Sequence, residues 1–195
     1  LVMSPEARIK WLTQKETEAF LRAVRRHGEP RDLAAFRLMY WCGLRASEVG
    51  LLRRQDLDAD SGTLLVRRLK GSVSHSYQLP PDVLKALRTY LASRDDDHDA
   101  LFLSRNNKPL SRKQLHVLFK KFTARTRIPP DKRHCHVLRH SVAVHMIDSG
   151  IDVRRVAYHL GHRSLTSTMV YANVSAKAAA DIHEQMQHSD SIARM

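Results

Sequence analysis

Residues 136–171 read HVLRHSVAVHMIDSGIDVRRVAYHLGHRSLTSTMVY, and this stretch decides the fold. Its first part predicts a helix from about His136 to Ser149 that ends at Gly150, because glycine readily takes the left-handed conformation that follows a helix. Asp152 suits the N-cap of a shorter helix that stops at Gly161. The stretch therefore predicts consecutive helices joined by tight turns.

Further helix signals lie nearer the N-terminus. Thr13 with Glu16 has the pattern of a capping box, and Ser111 with Gln114 repeats it. Pro30 suits the first position of another helix, where its missing N–H costs nothing. Apolar residues recur after these signals at spacings of three and four, which is typical of helices that pack one face on a core.

Short β-strands interrupt the helical pattern. Residues 63–66 and 76–79 predict two antiparallel strands around a turn that contains Gly71, and the apolar run 101–103 predicts a third strand. The fold class is therefore mainly α with a small antiparallel β-sheet (α+β). We expect residues 1–12 to form a flexible N-terminal segment or linker and residues 13–186 to form one folded domain. Residues 187–195 are expected to form a flexible C-terminal tail.

The chain is strongly basic. Its 195 residues include 33 Lys and Arg against 20 Asp and Glu, for a formal net charge of +13 at pH 7. Eleven of the basic residues and a single acid fall between Ser104 and Arg139. Such a cluster favours nucleic acid, ahead of an anionic membrane or no polyanion at all, because each neutralised phosphate releases counterions. The candidate DNA-contacting residues are Arg105, Lys108, Arg112, Lys113, Lys120, Lys121 and Arg133.

Disulfide and metal chemistry have little support. The two cysteines, Cys42 and Cys135, form no C-x-x-C pair, and a reducing intracellular setting fits them. A zinc hydrolase built on His134, Cys135, His136 and His140 lacks the glutamate that the metalloprotease pattern places between its histidines. We therefore expect no metal and no cofactor, and we expect His140 to pack as a satisfied histidine.

Six side chains suited to phosphodiester transfer are spread along the chain. They are Arg45, Lys70, His136, Arg139, His162 and Tyr171. Two guanidiniums can clamp the non-bridging oxygens of a phosphate by charge-assisted hydrogen bonds. Histidines can donate to the same oxygens or relay protons, a lysine can protonate the leaving oxygen, and a tyrosine can form a covalent intermediate. Cationic surroundings are expected to help the phenol ionise.

Four motifs, in this order, resemble the tyrosine recombinase or phage integrase family. They are G-L-R-A-S-E at 43–48, R-L-K-G at 68–71, H-V-L-R-H at 136–140 and L-G-H-R-S-L-T-S-T-M-V-Y at 160–171. The resemblance covers nearly the whole chain and implies the catalytic-domain fold of DNA breaking-rejoining enzymes. It implies a metal-independent DNA strand transferase that integrates, excises or inverts DNA through a 3′-phosphotyrosyl intermediate.

The resemblance also implies roles for individual residues. Arg45 and Arg139 are similar to the family's two phosphate-clamping arginines, and Tyr171 is similar to its nucleophile. Glu48, three residues after the first arginine, matches an acidic residue that orients it.

Three further residues complete the implied site. Lys70 is similar to the family's hairpin lysine, the general acid for the leaving 5′ hydroxyl, although the residues after Gly71 are less basic than in many relatives. His136 is similar to the histidine of H-x-x-R, a proton acceptor or phosphate ligand. His162 is similar to the second histidine, which hydrogen-bonds the scissile phosphate.

The implied partner is double-stranded DNA with specific recombination sites. The family implies a homotetramer on DNA that is a monomer when free, accessory DNA-bending proteins, and action at the nucleoid in the cytoplasm, in a bacterial or phage-type mobile element. No apolar run approaches a membrane span. The stretches R-R-L-K and 110–114 resemble short fimbrial-switch inversion recombinases, which act without a separate N-terminal DNA-clamping domain. A type IB topoisomerase-like enzyme and a non-catalytic DNA-binding module are the alternatives.

Overall fold

The structure is a computed structural model that describes residues 9–69, 72–173 and 175. The described part is mainly helical with one small antiparallel sheet. The helices are α1 (Gln14–His27), α2 (Pro30–Trp41), α3 (Ala46–Val49), α4 (Pro81–Ala92), α5 (Arg112–Thr123), α6 (His136–Asp148), α7 (Val153–Leu160) and α8 (Thr166–Ala172). The strands are β1 (Leu57–Asp58), β2 (Thr63–Val66) and β3 (His75–Gln78), and short 3₁₀ turns occupy Arg54–Asp56 and Pro130–Lys132.

The helix ends follow the sequence signals. At the start of α1 the Thr13 amide donates to the Glu16 carboxylate at 2.7 Å, and the Glu16 amide donates back to the Thr13 hydroxyl at 3.2 Å. The same reciprocal box opens α5, and Pro30 occupies the first position of α2. These predictions are confirmed. The two capping boxes form because the first turn of a helix leaves backbone amides without a partner, and the boxes supply one.

The sheet has the order β1-β2-β3, and its two longer strands are the predicted ones. The predicted third strand at 101–103 is wrong, since β1 takes that place and pairs Leu57 with Leu64. Residues 101–103 are buried, but Leu103 makes only an isolated bridge to Pro109. Their apolar character reflects burial in the main core, where the ring of Phe102 stacks on that of Tyr90 in α4 at 5.5 Å.

Two apolar clusters hold the helices together. In the larger one the ring of Phe20 lies 5.1 Å from that of Phe36 and 4.6 Å from that of Phe119, which joins α1, α2 and α5. The smaller cluster contains Val156 and the ring of Tyr171, and it packs α6, α7 and α8 together. The aromatic side chain that carries the predicted nucleophile is thus part of a core.

The deciding stretch folds as the sequence predicts. Asp152 caps α7 by accepting the Arg154 amide at 2.8 Å, and both Gly150 and Gly161 have positive φ, at 81° and 68°. No helix in the described part of the chain is both long and apolar enough to cross a membrane. The predicted terminal segments lie partly or wholly outside the described residues, as do Lys70 and Gly71.

Candidate active site

A glycine turn after α2 brings the first arginine motif against α7. Gly43 has φ 56°, and a Cβ there would lie 2.5 Å from a methyl carbon of Leu160. Only glycine combines this backbone conformation with such close packing. The turn leaves the Gly43 carbonyl free to accept hydrogen bonds from the guanidiniums of Arg68, at 3.3 Å, and Arg139.

Glu48 fixes the direction of Arg45. The Glu48 side chain is fully buried; one oxygen accepts from the Arg45 guanidinium at 3.0 Å and the other from the Arg45 amide at 2.8 Å. Burial alone would raise the pKa of Glu48, but the charges of Arg68 and Arg45 outweigh it and the pKa is lowered. The carboxylate therefore stays ionised, which supports its predicted orienting role.

Arg139 lies at the centre of the site and is 1% exposed. Its guanidinium donates to the Gly43 carbonyl, to the Leu160 carbonyl at 2.9 Å and to Nε2 of His162 at 2.8 Å. Burial, reinforced by the neighbouring arginine charges, lowers the pKa of Arg139 to about 10. The group is still positively charged at neutral pH, and a buried fixed cation suits a phosphate.

The contacts of His162 define its tautomer. A guanidinium can only donate, so Nε2 of His162 is the acceptor from Arg139, and its hydrogen is on Nδ1. Nδ1 lies 2.8 Å from the hydroxyl of Thr168, which accepts it. Burial, followed by the charges of Arg139 and Arg45, lowers the pKa of His162 to about 4. In the free protein His162 is thus neutral and orients Arg139, whereas the resemblance implies a contact to phosphate.

Tyr171 on α8 lies beside the arginines. The residue is 4% exposed, and its hydroxyl is 2.9 Å from Nδ1 of His140 on α6. Burial raises the pKa of Tyr171, and the charges of Arg139 and Arg45 only partly oppose this. The expectation that cationic neighbours favour the phenolate therefore fails for the free protein, because desolvation is the larger effect.

His136 opens onto a cavity of about 380 Å³ next to Arg45. Arg112, His116 and His134 complete the basic part of the lining. Partial burial, followed by the charges of Arg139 and Arg45, lowers the pKa of His136 to about 4 although its side chain is open to the cavity. A neutral imidazole at a cationic opening can accept a proton once an anion is bound.

The sequence interpretation missed Arg68. Its guanidinium is fully buried and donates to Glu48 at 2.7 Å, to the Cys42 carbonyl at 2.7 Å, to the Tyr77 hydroxyl and to the His159 carbonyl at 3.3 Å. Thr168 was missed as well. Arg68 stood inside a quoted motif, but nothing in the sequence says that an arginine there is buried.

The other predicted residues are distributed around the molecule. Lys70 lies outside the described residues. Of the seven predicted DNA contacts, Arg112 lines the cavity beside Arg45, whereas Arg105, Lys113 and Lys121 line a separate cavity of about 540 Å³. Lys108 and Lys120 are exposed, whereas Arg133 is half-buried and its Nε donates to the Ile128 carbonyl at 2.9 Å.

Metal ligation has no structural candidate among the residues that are described. His136 and His140 do lie close, with ring centroids 4.6 Å apart. However, no group of three or more His, Cys, Asp or Glu side chains in the described ranges is placed to hold a metal ion. The geometry instead brings two guanidiniums, neutral histidines and one phenol close together.

Comparison with known proteins agrees with these motifs. The phage integrase family profile matches residues 10–178. The chain is 34% identical over 179 residues to the tyrosine recombinase XerA of Thermococcus onnurineus, covering 89% of this chain and 61% of that protein. It is 33% identical over 160 residues to the tyrosine recombinase XerC of Chlamydia trachomatis serovar D, covering 80% and 50%. The chain thus spans between half and two thirds of the length of these relatives.

Solved structures show the same fold. The crystal structure of XerA recombinase superposes with a TM-score of 0.79 at 26% identity, over 90% of this chain and 64% of that one. The catalytic domain of bacteriophage HP1 integrase has a TM-score of 0.67 at 18% identity, over 90% and 94%. The fold is the tyrosine recombinase catalytic-domain fold, and the chain belongs to the phage integrase family.

Proposed function

We propose that this protein is a site-specific DNA recombinase that cleaves and rejoins DNA through a covalent link between Tyr171 and a 3′ phosphate. The observation that carries the proposal is the cluster of Arg45, Arg139, His162 and Tyr171, which comes from four separate segments. The charges of Arg45 and Arg68 both act on Arg139, with the Glu48 carboxylate among them. A surplus of cations at one place is costly unless a further anion joins them, and a purely structural role would not require it.

The arginines supply the phosphate clamp of the proposed reaction. Glu48 holds Arg45, and two backbone carbonyls hold Arg139, so both guanidiniums are oriented before DNA binds. Preorganised donors stabilise charge on the non-bridging oxygens without further rearrangement. Clamping by arginine makes a metal unnecessary in this proposal, so chelators should leave cleavage unchanged.

The proposed step exchanges one phosphoester for another. The Tyr171 oxygen bonds to phosphorus and the bond from phosphorus to the 5′ oxygen breaks. The phenol hydrogen faces His140 in the free protein, and once the oxygen bonds to phosphorus the proton is released to His136 or to an oxygen of the bound phosphate. The 5′ oxygen takes a proton from Lys70 as general acid. Supporting the assignment of Lys70, the nearby Ser72 hydroxyl lies 3.0 Å from the Arg45 guanidinium.

The basic surface is proposed to track the DNA backbone. Arg112 is the best supported contact, because it shares a cavity with Arg45 and His136. Arg105 already pairs with Glu29 at 2.6 Å, so its contribution to DNA affinity is expected to be smaller. The remaining proposed contacts are Lys108, Lys113, Lys120, Lys121 and Arg133.

Assembly is proposed from relatives. XerH, whose fold this chain shares at a TM-score of 0.77, has been solved bound to palindromic difH substrate in a post-cleavage complex. We extend DNA binding to this chain, with residues 13–186 as the catalytic domain and a homotetramer on paired sites. In the same proposal the free protein is a monomer and accessory DNA-bending proteins assist it. It acts at the nucleoid and belongs to a bacterial or phage-type mobile element.

A nicked suicide substrate tests the activity. Duplexes made from the DNA that flanks the gene should give a protease-sensitive protein–DNA adduct, with and without chelator, and Tyr171→Phe should give none. An adduct that persists in Tyr171→Phe contradicts the assignment. A topoisomerase would relax supercoiled DNA as a monomer instead of joining paired sites.

A further inference from the structure

His140 is the residue in direct contact with the proposed reacting oxygen. Its Nδ1 lies 2.9 Å from the Tyr171 hydroxyl, and its ring centroid lies 5.5 Å from the tyrosine ring. The tyrosine ring is fixed by the apolar cluster of α6, α7 and α8, so its position is set by packing. Packing leaves the hydroxyl hydrogen free to rotate about the bond between the ring carbon and the oxygen. A hydrogen bond removes this rotation.

The surroundings of His140 keep its imidazole neutral. The groups that act on its charge are His136, His134 and Arg139 near it on the chain, and His162 at the end of α7. Burial, followed by these neighbours, lowers the pKa of His140 to about 3, so its imidazole is neutral throughout the physiological range. A neutral imidazole whose Nδ1 faces a hydroxyl can accept the hydroxyl hydrogen.

We propose that His140 is a positioning residue for the nucleophile: its Nδ1 accepts the Tyr171 hydroxyl hydrogen and turns the oxygen lone pairs toward the phosphate pocket. This inference rests on the proposed function. It assigns His140 a task separate from that of His136, which opens onto the cavity instead. Fixing the direction of attack favours the in-line approach that transfer at phosphorus requires.

The same helix contains a matched control. His145 also uses Nδ1 to contact a tyrosine hydroxyl, that of Tyr40 at 2.7 Å, while its Nε2 lies 2.9 Å from the Leu12 carbonyl. This pair lies in the core, away from the arginines, and has no part in the proposed chemistry. His145→Asn therefore reports what a purely structural His–Tyr contact contributes.

Single-turnover cleavage of the suicide substrate is measured for His140→Leu and His140→Asn below the unfolding temperature of each. Asparagine places an oxygen near the position of Nδ1 and leucine does not. We expect His140→Leu to slow cleavage about 10- to 100-fold with unchanged DNA affinity, and His140→Asn to restore it to within about threefold of wild type. His145→Asn should lower the unfolding temperature and leave the cleavage rate unchanged.

Two outcomes overturn the positioning role. If asparagine fails to restore the rate, His140 acts as a base or as packing; if His140→Leu cleaves normally, the contact has no role. A pH profile adds a further check, because wild type and His140→Asn should respond alike between pH 5 and 8 if His140 stays neutral there.

Fluorine NMR separates this inference from the proposed function. The protein has five tyrosines, and after labelling with 3-fluorotyrosine the signal lost in Tyr171→Phe identifies residue 171. That signal should shift in His140→Leu and stay near its wild-type position in His140→Asn. If wild type forms no DNA adduct, the proposed function fails, yet the fluorine shift still upholds or overturns the hydrogen bond itself.

Discussion

Arg139 is held by acceptors of the protein before any phosphate is present. Two of them are backbone carbonyls, of Gly43 and Leu160, and the third is the unprotonated nitrogen of His162. Thr168 in turn holds His162 in the tautomer that can accept. A guanidinium fixed in this way is preorganised, so in the proposed reaction it stabilises the transition state without being rearranged.

Replacing Arg139 by lysine tests this arrangement. Lysine keeps the positive charge but lacks the planar guanidinium, which can donate to two carbonyls, a histidine and a phosphate at once. We expect Arg139→Lys to slow single-turnover cleavage about 100- to 1000-fold while DNA affinity changes little. The control is Arg22→Lys, at an exposed arginine paired with Glu18. Cleavage by Arg139→Lys at the wild-type rate would contradict the role of the fork.

The buried histidines make stability depend on pH. The pKa of His140 is about 3 in the folded chain, below the usual 6.5, so the unfolded chain binds more protons as the pH falls below 6.5. Stability is therefore fully present above pH 6.5 and is lost on acidification toward the folded pKa.

Urea unfolding at pH 7.0 and pH 4.5 measures this effect. Asparagine does not titrate, so the stability advantage of wild type over His140→Asn should shrink by about 2–3 kcal/mol at the lower pH. The same two measurements on His145→Asn show how a core histidine outside the site behaves. An advantage over His140→Asn that is independent of pH would contradict the depressed pKa of His140.

Arg68, which follows β2, contacts several helices and a strand. Its guanidinium contacts the end of α2 through Cys42, α3 through Glu48, β3 through Tyr77 and α7 through His159. The hairpin is also tied to the turn after α7, since the Val73 amide donates to the Gly161 carbonyl at 3.0 Å. Arg68 therefore joins α2, α3, β3 and α7 through one buried side chain.

Arg68→Leu tests whether this buried arginine organises the elements. Removing it leaves Glu48 buried with one fewer cation, which typically costs about 3 kcal/mol of unfolding free energy. Denaturant unfolding should show that loss, whereas Arg22→Leu, which breaks an exposed ion pair, should cost less than about 1 kcal/mol. Equal losses in the two variants would contradict the special place of Arg68.

The sequence predicted elements well where a local rule decides them. The capping boxes of α1 and α5 and the positive φ of Gly161 depend on neighbours within a few residues. The prediction of a strand at 101–103 failed because a short apolar run looks the same whether it pairs in a sheet or packs against a helix in the core. Only tertiary contacts separate those two cases.

The sequence indicated which residues to consider for the candidate site, but not the contacts between them. Arg45, Arg139, His162 and Tyr171 were recognisable because the order and spacing of their motifs are specific. The hydrogen bond between His140 and Tyr171 joins residues that are far apart in the sequence, and so does the contact that sets the tautomer of His162. The burial of Arg68 likewise depends on tertiary packing. No pattern in one sequence reports such distances.

In the whole molecule, apolar packing holds the helices together and the positive charge attracts a polyanion. The two apolar clusters hold the helices, and the formal charge of +13 is available for a polyanion. Charge alone would serve any nucleic-acid-binding protein. What distinguishes this molecule is that helices α6, α7 and α8 pack one phenol next to two buried or oriented guanidiniums.

The most direct test is to locate the covalent bond. After reaction with a suicide substrate and digestion with nuclease and trypsin, the peptide 164–177, which contains Tyr171 as its one tyrosine, is examined by mass spectrometry. The account predicts a nucleotide attached through its 3′ phosphate to Tyr171, formed much more slowly when Arg139 is replaced by lysine. A nucleotide on any other residue, or attached through a 5′ phosphate, would contradict it.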